Sequence, residues 1–138
     1  MKRLNGNIDV KVAQLFKTEK TLFFIAVAMI VFGIAEVVIG FRHEFFGLVT
    51  SENMTTTVIG MGLGLCYLFA GILLLCFNRK TLFIAFILLT IDVLGRFVMM
   101  LTGMYSMDTQ MQIVGMAGGT TIAIIFAIFV LVKYLKMP

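Results

Sequence analysis

Hydrophobic residues make up 61% of the 138-residue chain and charged residues 13%, and a mean hydropathy of +1.09 excludes an ordinary soluble domain. The formal charge of +4 suits an anionic partner, but the basic residues are scattered over separate segments without a reading motif, so no nucleic acid is expected. What remains is an integral membrane protein whose main partner is the lipid bilayer.

Four apolar stretches, Thr21–Phe41, Thr55–Phe77, Thr81–Tyr105 and Met111–Val132, dominate the sequence. Each is long enough to cross a ~30 Å hydrocarbon core as a helix. Backbone polar groups in lipid must be satisfied internally, so helices are the economical solution. The expected fold is all-α: one domain, residues 1–138, built as a four-helix transmembrane bundle.

Residues 1–20 are basic, and Ile8, Val12, Leu15 and Phe16 recur at helical spacing. A short helix lying on the membrane surface and a frayed tail are both compatible with that pattern. The first apolar run is longer than a signal-peptide core and no small-residue cleavage pattern follows it, so it is expected to be retained as a helix. It carries Gly33, Glu36 and Gly40 on one face. After it, Arg42-His43-Glu44-Phe45-Phe46 places aromatics at the interface, where they anchor helix ends. If an outer cavity exists, His43 and Glu44 would stand at its mouth.

The second helix holds Cys66 and Cys76, ten residues and ~15 Å apart along the axis, which is beyond disulfide reach. With no Cys-x-x-Cys and one histidine, no metal site, dithiol centre or other cofactor is expected. Its glycines, Gly60 and Gly64, have the spacing that lets membrane helices approach closely, as do Gly115 and Gly119 in the fourth helix. Both pairs are expected at helix contacts. The third helix contains Asp92 and Arg96, an i,i+4 pair. Methionines crowd the far half of the bundle; Met100, Met104, Met107 and Met111 could ligate Cu(I), but gap filling is the simpler use. No catalytic constellation is visible, since Ser51 and Ser106 lack any base-and-orienter pair.

The basic residues also set an orientation. Nine of them (Lys2, Arg3, Lys11, Lys17, Lys20, Arg79, Lys80, Lys133 and Lys136) fall on one side, against Arg42 on the other. The positive-inside rule then puts both termini in the cytoplasm, as expected for a bacterial or archaeal cytoplasmic membrane. Lys20-Thr21-Leu22-Phe23 and Lys80-Thr81-Leu82-Phe83 open helices one and three alike, which suggests two parallel-repeat hairpins.

Glu36 lies sixteen residues beyond Lys20, and Arg96 sixteen beyond Lys80. Both should therefore sit ~24 Å along their helices, at one depth. Charges there are costly, so Glu36, Asp92 and Arg96 are expected to face inward with Arg96 bridging both acids. Two uses follow: a site that binds or transports a small solute or proton, or an ion-pair device that fixes helix register in a structural or accessory subunit. Four helices enclose little volume, so a transport pathway would call for a homo-oligomer or a membrane partner subunit.

Two resemblances bear on these residues. Ala35-Glu36-Val37-Val38-Ile39-Gly40 resembles the first-helix glutamate motif of small multidrug resistance transporters, in which the glutamate exchanges protons for a cationic drug. That likeness covers six residues, and this chain has no tryptophan and adds the charged pair in helix three. Over more of the chain, a glycine-bearing first helix, a Gly-rich second and Gly95-Arg96 in the third look like DoxX-like small bacterial membrane proteins. The acidic residue of that group's second helix has no counterpart here. The layout implies a four-helix membrane fold and no particular chemistry.

Overall fold

Polar caps and turns cut the apolar sequence into separate helices. In a computed structural model, residues 19–42, 44–45, 48–49, 54–104 and 107–137 are described. They form α1 (Lys20–Arg42), a two-strand ladder β1 (Glu44–Phe45) and β2 (Leu48–Val49), α2 (Met54–Leu75), α3 (Arg79–Leu101) and α4 (Gln110–Lys136). The N-terminal segment, His43, Ser51 and Ser106 lie outside the described residues, as does the Glu44 side chain. All four helices have the length and hydropathy to cross a membrane, so the chain is a small polytopic membrane protein.

Local chemistry sets the helix ends. Asn78 caps α3: its Oδ1 accepts from Lys80 N (3.2 Å), and its own N–H donates to Thr81 Oγ1 (3.1 Å). Thr109 and Gln112 form the same reciprocal box at the start of α4 (3.3 and 3.0 Å). Helix α3 ends earlier than the apolar pattern predicts. Gly103 takes φ 65°, Met104 N donates to Met99 O (3.1 Å) and Gly103 N to Met100 O (3.3 Å), a Schellman closure that a glycine makes cheap. Met100 and Met104 through Met111 therefore do not share one helix, which removes the regular spacing on which copper ligation would depend.

The helices pack in chain order, α1 on α2, α2 on α3 and α3 on α4. The tightest crossing is α1 on α2, in one antiparallel register. A Cβ on Gly33 would stand 2.6 Å from Leu68 N, and one on Gly71 would stand 2.9 Å from Ala26 O. Small residues here allow backbones to touch, which is how helices gain packing energy in lipid. The second hairpin has no such glycine contact, so the two halves pack differently despite their similar openings.

One end carries Lys20, Arg79, Lys80 and Lys133 and is called the basic end below. The apolar core fills the half next to it, with Leu22, Ala26 and Met29 from α1 meeting Ala70 and Leu74, Leu82 and Ala85, and Val130. Polar ties close α4 onto its neighbours there. Lys133 Nζ donates to Glu19 Oε2 (2.5 Å), Tyr134 packs on Phe83 (centroids 5.4 Å apart), and Arg79 lies over the Tyr134 ring. The buried polar residues, Thr56, Thr57, Asp92 and Thr120, lie in the other half beside buried Leu63, Met99 and Met116.

Candidate functional site

The polar half is organised by Arg96. Its Nε donates to both carboxylate oxygens of Asp92 (3.2 and 3.1 Å), one helical turn earlier on α3. Its Nη2 donates to Glu36 Oε1 on α1. One guanidinium thus joins α1 to α3 across α2, the bridge predicted from the matching depths of Glu36 and Arg96. Asp92 is fully buried behind Arg96, whereas the Glu36 side chain keeps 27% of its surface.

Gly64 makes this reach possible. A Cβ there would lie 2.9 Å from Glu36 Cβ and 3.1 Å from Val37 N, so only hydrogen lets the glutamate stem pass over α2 toward Arg96. Of the two glycine pairs expected at helix contacts, Gly64 alone is pressed against a neighbouring helix backbone. A Cβ on Gly60 or Gly115 would meet nothing within 4 Å, and one on Gly119 would meet only Arg96 Nη1 at 3.4 Å. These three glycines instead line open space. The contact stripe of α2 is Gly64 with Gly71, spaced by seven, because the helix crossing repeats at that interval rather than at four.

That space is a cavity of about 380 Å³ between α1 and α4, floored by α2 and α3. Glu36 and Arg96 form its charged wall. Thr56, Thr57, Tyr67 and Gln112 are its other polar residues, while Phe32, Ile39, Leu63, Met99, Met116 and Ile122 help make the lining largely apolar. Tyr67 is itself held by stacking on Phe126, with ring centroids 6.3 Å apart. Asp92 does not line the cavity; it holds Arg96 in place from behind.

The ion pair leaves one edge open. Among the described residues, Arg96 Nη1 and Glu36 Oε2 have no hydrogen-bond partner, and both residues face the cavity. A donor and an acceptor on two paired residues are therefore left for a largely apolar chamber. Sequence reasoning missed Tyr67, Thr56, Thr57 and Gln112 as lining residues. Tyr67, the one polar aromatic in the middle of a predicted span, was the available signal; the threonines and Gln112 read only as helix-end residues.

The three cavity methionines, Met99, Met111 and Met116, come from α3 and α4. Among the described residues no group of three or more His, Cys, Asp or Glu is placed to hold a metal ion. Glu44 and His43, expected at a cavity mouth, fall outside the described side chains.

Comparison with known proteins finds no family model that matches this chain. No curated protein matches it. No solved structure does either.

Proposed function

We propose that the cavity between α1 and α4 is a binding site for a small solute, held by the exposed edge of the Glu36–Arg96 ion pair. One observation carries this reading: the ion pair forms the wall of a chamber of about 380 Å³ instead of being sealed between packed helices. Ligand pockets commonly run from about 300 to 1,000 Å³, with apolar walls and a few converging polar groups. Ionisable residues inside membrane spans more often mark such sites and pathways than decorate them. Transport of the solute, with both termini in the cytoplasm, extends the same reading and needs a second opening.

The alternative is a structural or accessory subunit in which the ion pairs only fix helix register. Asp92 fits that role, being buried and fully engaged by Arg96. Glu36 fits it less well, because a register device has no need of a cavity at its side. The DoxX-like layout is compatible with both readings and selects neither.

Carbodiimide labelling of the folded protein in nanodiscs, mapped by mass spectrometry, separates them. Glu36 should be modified while Asp92 is spared, and Gly115→Leu should reduce the labelling several-fold by filling space that no other atom occupies. Protection of both acids from a water-soluble and a lipid-soluble carbodiimide alike, in the folded wild type, would leave only the structural role.

A further inference from the structure

We infer that the cavity is entered from the lipid, through the gap between α1 and α4, and that it takes a neutral amphiphile whose polar end offers both an acceptor and a donor. This deepens the binding reading and rests on it.

The gap follows from how the helices pack. Close packing runs α1–α2–α3–α4 and does not return from α4 to α1. Glu19 and Lys133 tie these two helices at the basic end, beyond the cavity. Phe32 and Ile122, which line the cavity from α1 and α4, keep 45% and 38% of their surface exposed, as expected of residues that flank an opening. Phe32 lies twelve residues beyond Lys20, or ~18 Å into the span. Ile122 lies fourteen before Lys136, or ~21 Å. Both positions are at hydrocarbon depth, so the opening faces acyl chains rather than water.

The chamber is elongated along the helices. Thr56 and Tyr67 mark its two ends on α2, eleven residues or ~16 Å apart. The Glu36–Arg96 edge lies between these ends, level with Leu63 and Gly64, with Phe32, Tyr67 and Ile122 on the side toward the basic end. This arrangement suits a molecule with an apolar tail and one compact polar group.

Charge selects the head group. Glu36, Asp92 and Arg96 together carry one net negative charge when both acids are ionised, which disfavours an anion. A cation would gain from that net charge but would bring a like charge, and no acceptor, to Arg96 Nη1, which borders the cavity at Gly119. A primary amide or hydroxy-carbonyl meets both partners: its carbonyl accepts from Arg96 Nη1 while its N–H or O–H donates to Glu36 Oε2. Such a head group also avoids the cost of carrying charge through hydrocarbon.

The chain has no tryptophan, so Phe32→Trp in lipid vesicles gives a single tryptophan at the gap. The probes are 11-bromoundecanamide, 11-bromoundecyltrimethylammonium and 11-bromoundecanesulfonate, matched in tail and differing in head charge. The amide should quench saturably, at tenfold or more lower membrane mole fraction than either charged analogue, and Gly119→Leu should abolish the saturable part. Equal, non-saturable quenching by all three would mean partition into lipid only and would overturn the proposal. A second measurement locates the entrance. A lipid-soluble carbodiimide should modify Glu36, and the amide should protect it, while a water-soluble carbodiimide fails. Modification by the water-soluble reagent would sink the lipid entrance yet keep the binding site. Failure of both reagents, with no saturable quenching, would remove the binding site as well.

Discussion

Removing Arg96 strands two acids at once. Asp92 has no exposed side-chain surface and no other ion-pair partner among the described residues, so Arg96→Ala leaves a buried carboxylate uncompensated. Breaking a buried pair in this way costs ~3–5 kcal/mol, measurable as a loss of resistance to SDS unfolding. Glu36→Gln should cost clearly less, because Arg96 keeps Asp92 and the amide still borders the cavity. The charge swap is more telling. If Glu36 and Arg96 were an isolated pair, Glu36→Arg with Arg96→Glu would restore it. Asp92 prevents this, because a glutamate at 96 would stand one turn from that buried carboxylate. The double variant should stay as unstable as its worse parent, and adding Asp92→Asn should recover folding. Recovery without the third change would refute the shared role of Arg96.

Among the helices, glycine has two opposite uses. On the α1–α2 crossing, Gly64→Ala and Gly71→Ala drive a methyl into backbone or stem atoms at about 3 Å. Over-packing of this kind costs ~1–3 kcal/mol, and at Gly64 it should also displace Glu36. On the cavity wall, Gly60→Ala and Gly115→Ala meet open space and should shift stability by no more than ~0.5 kcal/mol. Thermal unfolding of the four single variants in one detergent tests the split. Equal effects at all four positions would contradict the assignment of two glycine faces. The sequence showed four glycines in two similar spacings, and only the crossing register tells them apart.

At the scale of the whole molecule, the bundle is filled at its basic end and open at the other. The Glu19–Lys133 pair has side chains 30% and 27% exposed, and pairs of that kind contribute ~0–1 kcal/mol. Lys133→Ala should therefore lower stability by less than ~1 kcal/mol while loosening the end of α4 that is tied to α1. Orientation is a separate matter, set by the nine-to-one distribution of basic residues. A reporter fused after Pro138 that is active only in the cytoplasm should be active, and a periplasmic reporter at the same point silent. The opposite pattern would invert the inside and outside of the cavity.

Periodicity, hydropathy and the cost of burying charge determined from sequence that four helices span a membrane and that Glu36 and Arg96 meet at one depth, with Asp92 one turn from Arg96. These are local or one-dimensional properties: helix rise fixes depth, and a charge in lipid must find a partner. Helix ends were legible to within two residues except at the C-terminal ends of α3 and α4: Gly103 in a left-handed conformation stops α3 inside an apolar run, and α4 continues past Val132 to Lys136. Only the tertiary structure decided that Asp92 is sealed behind Arg96 while Glu36 borders a cavity, that Gly64 passes Glu36 over α2 while Gly60 and Gly115 stand empty, and that α4 packs on α3 without closing onto α1. Those outcomes depend on the crossing register and on which faces find neighbours, and an apolar residue reads the same in sequence whether it faces lipid, a helix or a cavity.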